Sequence, residues 1–294
     1  MHELAQLPLG DLADSAKESP VAWLLIGALG GVIGASVKFG FEDVLRPFVG
    51  SRREVRRLAS KYTIPLLRSA EALERRINIL VNNHEHHWYE KDEYFRLSTL
   101  YVFGEYFGWV RIVEQSVGFL PFESSKKGKR FNRRLTGVFR ALCSHAYFRT
   151  EPEEAVSDSL IERFKLTAIG EVMITADQGK AIEYTGFVQK YRSDGQYRSW
   201  FVDLDSFLRQ ATPDDPLRWD RLILTGAHLR ALICFLDKRG AMVRFRKVSN
   251  LERLHHTQVI ESLRKDFPKL IRSPEELEAA RTVLAAEPQS SLSA

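Results

Sequence analysis

Apolar positions recur at three- and four-residue spacing along most of the chain, and strict alternation is nowhere sustained. That period belongs to helices with one buried face. From Arg52 to Val81, the residues Ala70, Leu73, Ile77 and Leu80 form one stripe, with Pro65 expected to break or kink the helix early. The next stretch, 84–92, lacks periodicity and reads as a polar turn or loop. Between Glu93 and about Phe119 apolar residues cover most of the circumference, which marks a central, buried helix. Pro121 ends it, and the basic segment 124–130 reads as a mobile loop before a helix from about Phe131 to Tyr147. A helix from about Glu153 to Ile174 carries Leu160, Phe164, Ala168 and Val172 at fours.

Residues 181–202 hold many aromatic and β-branched side chains around a Ser193-Asp194-Gly195 turn. However, Tyr197, Trp200, Phe201, Leu204, Phe207 and Leu208 keep the helical period, so helix is predicted over hairpin. Pro213 and Pro216 open a further helix, with Trp219, Leu222, Ile223, Leu229, Leu232, Ile233 and Leu236 as its apolar set and a stop at Gly240. Another stripe follows at Leu251, Leu254, Ile260, Leu263 and Phe267. Ser273, Pro274 and Glu276 then have the form of a capping box with proline in the first turn. The expected fold is all-α: a multi-helix bundle over 42–286, undivided although 175–179 offers a weak boundary, with a disordered tail over 287–294.

The first forty residues differ in kind. No charge occurs from Ser19 to Val37, and Phe39 and Phe41 extend this apolar run while Lys38 reaches the interface. About 20 apolar residues cross a bilayer as a helix, so 19–41 is read as a transmembrane helix, with Trp23 in the aromatic belt. Residues 1–18 carry a net charge of −3, which does not suit the basic start of a signal peptide. Lys38 stands at the end of the span, and Arg46, Arg52, Arg53, Arg56, Arg57 and Lys61 follow it. Positive residues stay inside, which places the N-terminus outside and the remainder in the cytoplasm, a single-pass arrangement. Within the span Gly27, Gly31 and Ala35, and Gly30 and Gly34, form small-residue stripes that allow close helix packing.

A balance of 44% hydrophobic and 28% charged residues excludes disordered, collagen-like and multi-pass classes. Two distant cysteines, Cys143 and Cys234, give no disulfide framework. Signatures of common hydrolases, zinc proteases, phosphate-cradling loops and paired-cysteine redox sites are absent from the sequence, and no cofactor is predicted. Four groups nonetheless merit attention. His84, His86 and His87 with Glu85 are weak candidate metal ligands, set against a solvated polar loop. His255, His256 and the Cys143/His145 pair are weaker and read as packed or surface residues. Glu105, Arg111 and Glu114 lie in the most apolar helix, where a charge is costly unless paired; Arg111 and Glu114, three apart, can pair, while Glu105 needs a partner elsewhere. They are candidates for buried polar pairs or for a catalytic or ligand-binding group. Finally, Ser124 to Thr150 holds eight basic residues, Lys126, Lys127, Lys129, Arg130, Arg133, Arg134, Arg140 and Arg149, and no acidic one. An inert solvated face is the first reading; among partners, anionic phospholipid is expected ahead of nucleic acid.

Three stretches carry a resemblance: residues 98–114, STLYVFGEYFGWVRIVE; residues 168–173, AIGEVM; and residues 232–237, LICFLD, followed by Val243-Arg244-Phe245. Over about residues 60–245 the chain resembles a group of bacterial proteins of unassigned function with an N-terminal membrane segment and a helical cytoplasmic domain. The resemblance implies a bacterial plasma-membrane setting and brings no activity and no site residues. The expected role is a non-enzymatic, membrane-anchored helical interaction or scaffold module for self-association or a partner protein, in a bacterial stress or phage-defence setting. The rival is a membrane-anchored enzyme or small-ligand sensor using Glu105, Arg111 and Glu114.

Overall fold

The computed structural model describes residues 46–117, 126–175, 179–237 and 248–286. The proposed span 19–41, its glycines Gly27, Gly30, Gly31 and Gly34, and the tail 287–294 lie outside the described residues. The chain divides into two compact units, Met1–Arg56 and Arg57–Ala294. Of the first, only helical residues 46–56 are described. The described residues of the second are helical, with one isolated antiparallel bridge, Ile174 to Ala181, and no strand. No helix among them is long and apolar enough to cross a membrane.

Helix α1, Arg46–Asn82, runs through Pro65 without the predicted break. A mid-helix proline costs about 3 kcal/mol; burial of Leu66, Leu67, Ala70, Leu73 and Ile77 along one face offsets it. The segment predicted as a loop over 84–92 is also helical: a 3₁₀ turn, His84–His86, reverses at His87 (φ 52°) into α2, Trp88–Lys91. There the backbone N–H of His87 donates to His84 O at 3.1 Å, and Glu90 and Lys91 donate to His87 O, so local bonds replace the missing apolar period.

Helix α3, Glu93–Val117, is central as expected, with Leu100, Phe103, Tyr106 and Val110 fully buried. A later helix, α7 (Arg163–Val172), crosses it closely. A Cβ on Gly170 of α7 would lie 2.7 Å from Phe107 O, and Cβ atoms on Gly104 and Gly108 would press Met173 at 3.1 and 3.2 Å.

Helices α4, Lys126–Leu135, and α5, Gly137–Cys143, replace the predicted loop at 124–130 and the helix predicted over 131–147. Both lie on a long helix near the C-terminal end, α11 (Pro216–Leu236). The predicted helix 153–174 is likewise two pieces, α6 Glu153–Asp158 and α7. Val156 O, which a continuing helix would offer to Leu160, accepts from Ser159 Oγ at 2.8 Å and Arg221 Nη2 at 3.4 Å. The restart shifts the phase, so Leu166, Ile169, Gly170 and Met173 face the core and Phe164 is 86% exposed.

The helical reading of 181–202 holds: α8 Tyr184–Ser193, α9 Gly195–Ser199 and α10 Val202–Gln210 follow, α9 capped by Asp194, which accepts from Gln196 N and Tyr197 N. Helix α11 has Asp215 as N-cap and Pro216 in the first turn, and is buried from Trp219 through Ile233. It ends at Leu236, ahead of the predicted Gly240 stop. After a 3₁₀ turn at Leu251–Arg253 come α12, Thr257–Asp266, and α13, Pro274–Ala286. The capping box is present in both directions: Ser273 N donates to Glu276 Oε2 at 2.9 Å, and Glu276 N to Ser273 Oγ at 3.2 Å.

Candidate anion-binding groove

Along α11 the buried positions include Asp220, Arg221, His228 and Arg230, far more charge than an apolar helix tolerates without partners. All are provided for except His228 Nδ1, which is buried without a hydrogen-bond partner. Arg230 forms a two-pronged pair with Glu74 of α1, both contacts 2.6 Å. Asp220 accepts from His255 N at 2.9 Å, His256 N at 2.8 Å and His256 Nδ1 at 2.8 Å, so the two adjacent histidines, read from sequence as packed or surface residues, serve as a loop anchor.

Arg221 is fully buried and has no carboxylate among its hydrogen-bond partners. Its Nε donates to Ser159 Oγ, Nη1 to Ala141 O and Ser144 O, each at 3.0 Å, and Nη2 to Val156 O. The guanidinium thus ties down the C-terminal ends of α5 and α6, where carbonyls carry the negative end of the helix dipole. Burial pulls its pKa down to about 10, which still leaves it a cation.

These bonds shape the turn after α5. Ser144 is fixed by Arg221. Tyr147 Oη lies 2.7 Å from His228 Nε2, and Phe148 packs under Arg221 and edge-on to His256. The turn, α5 and the start of α7 enclose a groove of about 760 Å³ lined by Thr136, Phe139, Arg140, Cys143, Ser144, His145, Ala146, Arg149 and Arg163.

Its charge is one-sided. Arg140 stands 3.8 Å from Asp266, whereas neither Arg149 nor Arg163 makes an ion pair among the described residues. Burial pushes the Cys143 thiol up to about 12 despite Arg163 and Arg221 nearby, so the thiol is neutral and unsuited to nucleophilic attack at ordinary pH. Burial, with Arg140 and Arg134 adding to it, pulls His228 down to about 3, which keeps the ring neutral.

Beside the groove in sequence, α4 sorts its basic residues. Lys126, Lys129, Arg130 and Arg133 are exposed at helical spacing, while Gly128 and Leu135 are buried and Arg134, half-buried, stacks over Phe267 at 4.0 Å. Burial lowers the Arg134 pKa. Lys126/Arg130 and Lys129/Arg133 are like-charge pairs four apart, each costing the helix a few tenths of a kcal/mol. The side chain of Lys127 is outside the described set.

The other candidates lie apart from this groove's lining. Arg111 forms ion pairs with Glu171 of α7 at 2.9 Å and with Glu114 at 3.6 Å, so the expected pairing along the helix occurs with a second acid added. Glu105 bonds with the Tyr101 hydroxyl; burial raises the pKa of both Glu105 and Glu114. His84 Nδ1 lies 3.2 Å from Val81 O, His86 stacks on Trp88, and His87 Nδ1 lies 3.8 Å from Glu90. No group of three or more histidine, cysteine or acidic side chains among the described residues is placed to hold a metal ion. Cys234 is half-buried and interacts with Arg134.

The sequence pattern singles out Arg140 and Arg149 but not Arg163 or the supporting Arg221. The one sequence signal for that support is a charged set inside the apolar periodicity of 216–236. The chain matches no protein-family model, no curated protein and no solved structure.

Proposed function

We propose that the protein is a non-enzymatic, membrane-anchored interaction module. Residues 19–41 form its single-pass anchor, the acidic N-terminus lies outside, and the helical unit works on the cytoplasmic side against anionic phospholipid. The observation that supports this reading is the exposed stripe Lys126, Lys129, Arg130 and Arg133 on α4. Two like-charge pairs sit on one helix face without an acidic residue in the segment, and an anionic surface would relieve that repulsion. Each Lys or Arg near such a surface contributes about 1 kcal/mol, so the stripe supplies about 4 kcal/mol. Small-residue stripes at Gly27, Gly31 and Ala35 and at Gly30 and Gly34 give the anchor a face for a second copy or a partner helix.

An enzyme or sensor built on Glu105, Arg111 and Glu114 draws less support, because Arg111 is engaged by Glu171 and Glu114, and Glu105 by Tyr101. The test has two arms. Full-length protein should stay with membranes through a carbonate wash; release would sink the anchor. Purified full-length protein should float with vesicles containing phosphatidylserine at low salt, and the variant with Lys126, Lys129, Arg130 and Arg133 all changed to Gln should show far less preference for anionic over neutral vesicles. An unchanged preference refutes the lipid reading, and capture by duplex DNA in competition with the vesicles points to nucleic acid instead.

A further inference from the structure

We infer that the groove between α5 and the start of α7 binds a phosphate monoester joined to an apolar group, a reading that extends the anion-facing role proposed above to one defined site. Arg140, Arg149 and Arg163 line the groove, and Arg221 lies directly beneath its floor, bonded to Ser144 O. Against these four guanidinium groups stand two nearby carboxylates, Asp266, 3.8 Å from Arg140, and Glu114, which feels the charge of Arg163 but is already paired with Arg111, so positive charge remains in excess. Arg221 is satisfied by carbonyls and a hydroxyl, so its hydrogen bonds are made but its charge is not cancelled. In a partly desolvated setting that charge acts on the groove with less screening than an exposed one. The lining contributes no negative charge of its own: it holds no aspartate or glutamate, and Cys143 stays a thiol.

The ligand class follows from shape and charge. Planar guanidinium forks match the oxygens of phosphate, and a monoester carries about −1.5 to −2 charges at neutral pH, closer to what three lining arginines call for than a carboxylate. A volume of about 760 Å³ exceeds what a bare phosphate needs, and falls within the usual range for an organic ligand. Phe139, Ala146 and the Cys143 thiol offer the apolar wall for the attached group. A monoester with such a group has two sources, a phosphatidic acid headgroup and a soluble nucleotide, which present the same chemistry to the arginines.

The experiment is a calorimetric titration of full-length protein in neutral detergent. The probes are dioctanoyl phosphatidic acid and, separately, adenosine 5′-monophosphate, with dioctanoyl phosphatidylcholine and adenosine as controls lacking a monoester. Saturable 1:1 binding is expected with at least one monoester and with neither control. Arg149→Gln with Arg163→Gln, both exposed, should leave the thermal melt unchanged and weaken binding by about 30-fold or more, as befits two charge-assisted contacts. Lys91→Gln with Lys190→Gln, both exposed and outside the groove lining and the α4 stripe, removes the same charge and should weaken it by less than about 3-fold. Binding of phosphatidic acid alone assigns the lipid source, and binding of the nucleotide alone the soluble one; either upholds the site. Absence of saturable binding to both monoesters, or equal loss in the two double variants, overturns it. A chain that binds the titrated monoester yet shows no preference for anionic vesicles would uphold the groove and refute only the lipid-surface reading of α4.

Discussion

His228 gives a sharp test of the electrostatics around this groove. The ring is 3% exposed; Nε2 contacts the Tyr147 hydroxyl at 2.7 Å, Nδ1 has no hydrogen-bond partner, and the ring meets Phe267 edge-on. Burial first, then Arg140 and Arg134, hold its pKa near 3 against an ordinary 6.5. The folded chain therefore keeps the ring neutral while the unfolded chain protonates it below 6.5. Stability is intact above that pH and falls as pH drops from 6.5 toward 3. At pH 5 the gap is 1.5 units below the unfolded value, about 2 kcal/mol at roughly 1.4 kcal/mol per unit. Replacing His228 with Gln keeps a polar group near Tyr147 and removes the titration. Urea unfolding of both proteins from pH 7.5 to 5 should show the wild type losing about 2 kcal/mol more than the variant. Glu74, Glu105 and Glu114, all raised by burial, titrate in both proteins and cancel in the difference. Parallel stability curves would refute a neutral buried imidazole.

Packing dictates two further outcomes. Arg221→Met removes donors from Ala141 O, Ser144 O and Val156 O and from Ser159 Oγ, and should cost about 3–5 kcal/mol in denaturant unfolding; a loss below about 1 kcal/mol would show that the carbonyls find other donors. Gly170→Ala, whose Cβ would meet Phe107 O at 2.7 Å, should destabilise by about 1–3 kcal/mol, whereas Gly195→Ala meets nothing within 4 Å and should be neutral or stabilising by up to about 1 kcal/mol; thermal melts that rank the two the other way would contradict the close α3–α7 crossing.

The all-α class and the central helices are legible in the sequence because the three-four period is strong where one face is buried, as along Ala70, Leu73 and Ile77. Helix ends are legible where a local signal marks them, as at Asp215-Pro216 and Ser273-Pro274. They are not legible where a distant residue makes the break: the C-terminal end of α5 is set by Arg221, 77 residues away at Ser144 O. Lys126–Arg130 reads as a loop for want of apolar residues, yet buried Gly128 and Leu135 seat that helix on α11. The same distance effect hides the groove. Its arginines come from three separate segments, and its supporting cation belongs to a helix whose periodicity reads as core. The charges of α3 stand out in the sequence instead, although they sit near the surface, with Arg111 and Glu114 each about a third exposed.

The long reach of Arg221 also bears on the order in which the chain is made. Synthesis at about 5–20 residues per second separates Ser144 from Arg221 by roughly 4–15 s. During that interval the carbonyls at the end of α5 must be satisfied by water or by transient donors. The turn that shapes the groove is therefore completed late, when α11 arrives, and a nascent chain shorter than about that point holds the basic segment without its binding shape. An anion that favours the finished groove acts on the last step of folding, and a polyanion that grips the exposed lysines earlier acts on an unfinished one.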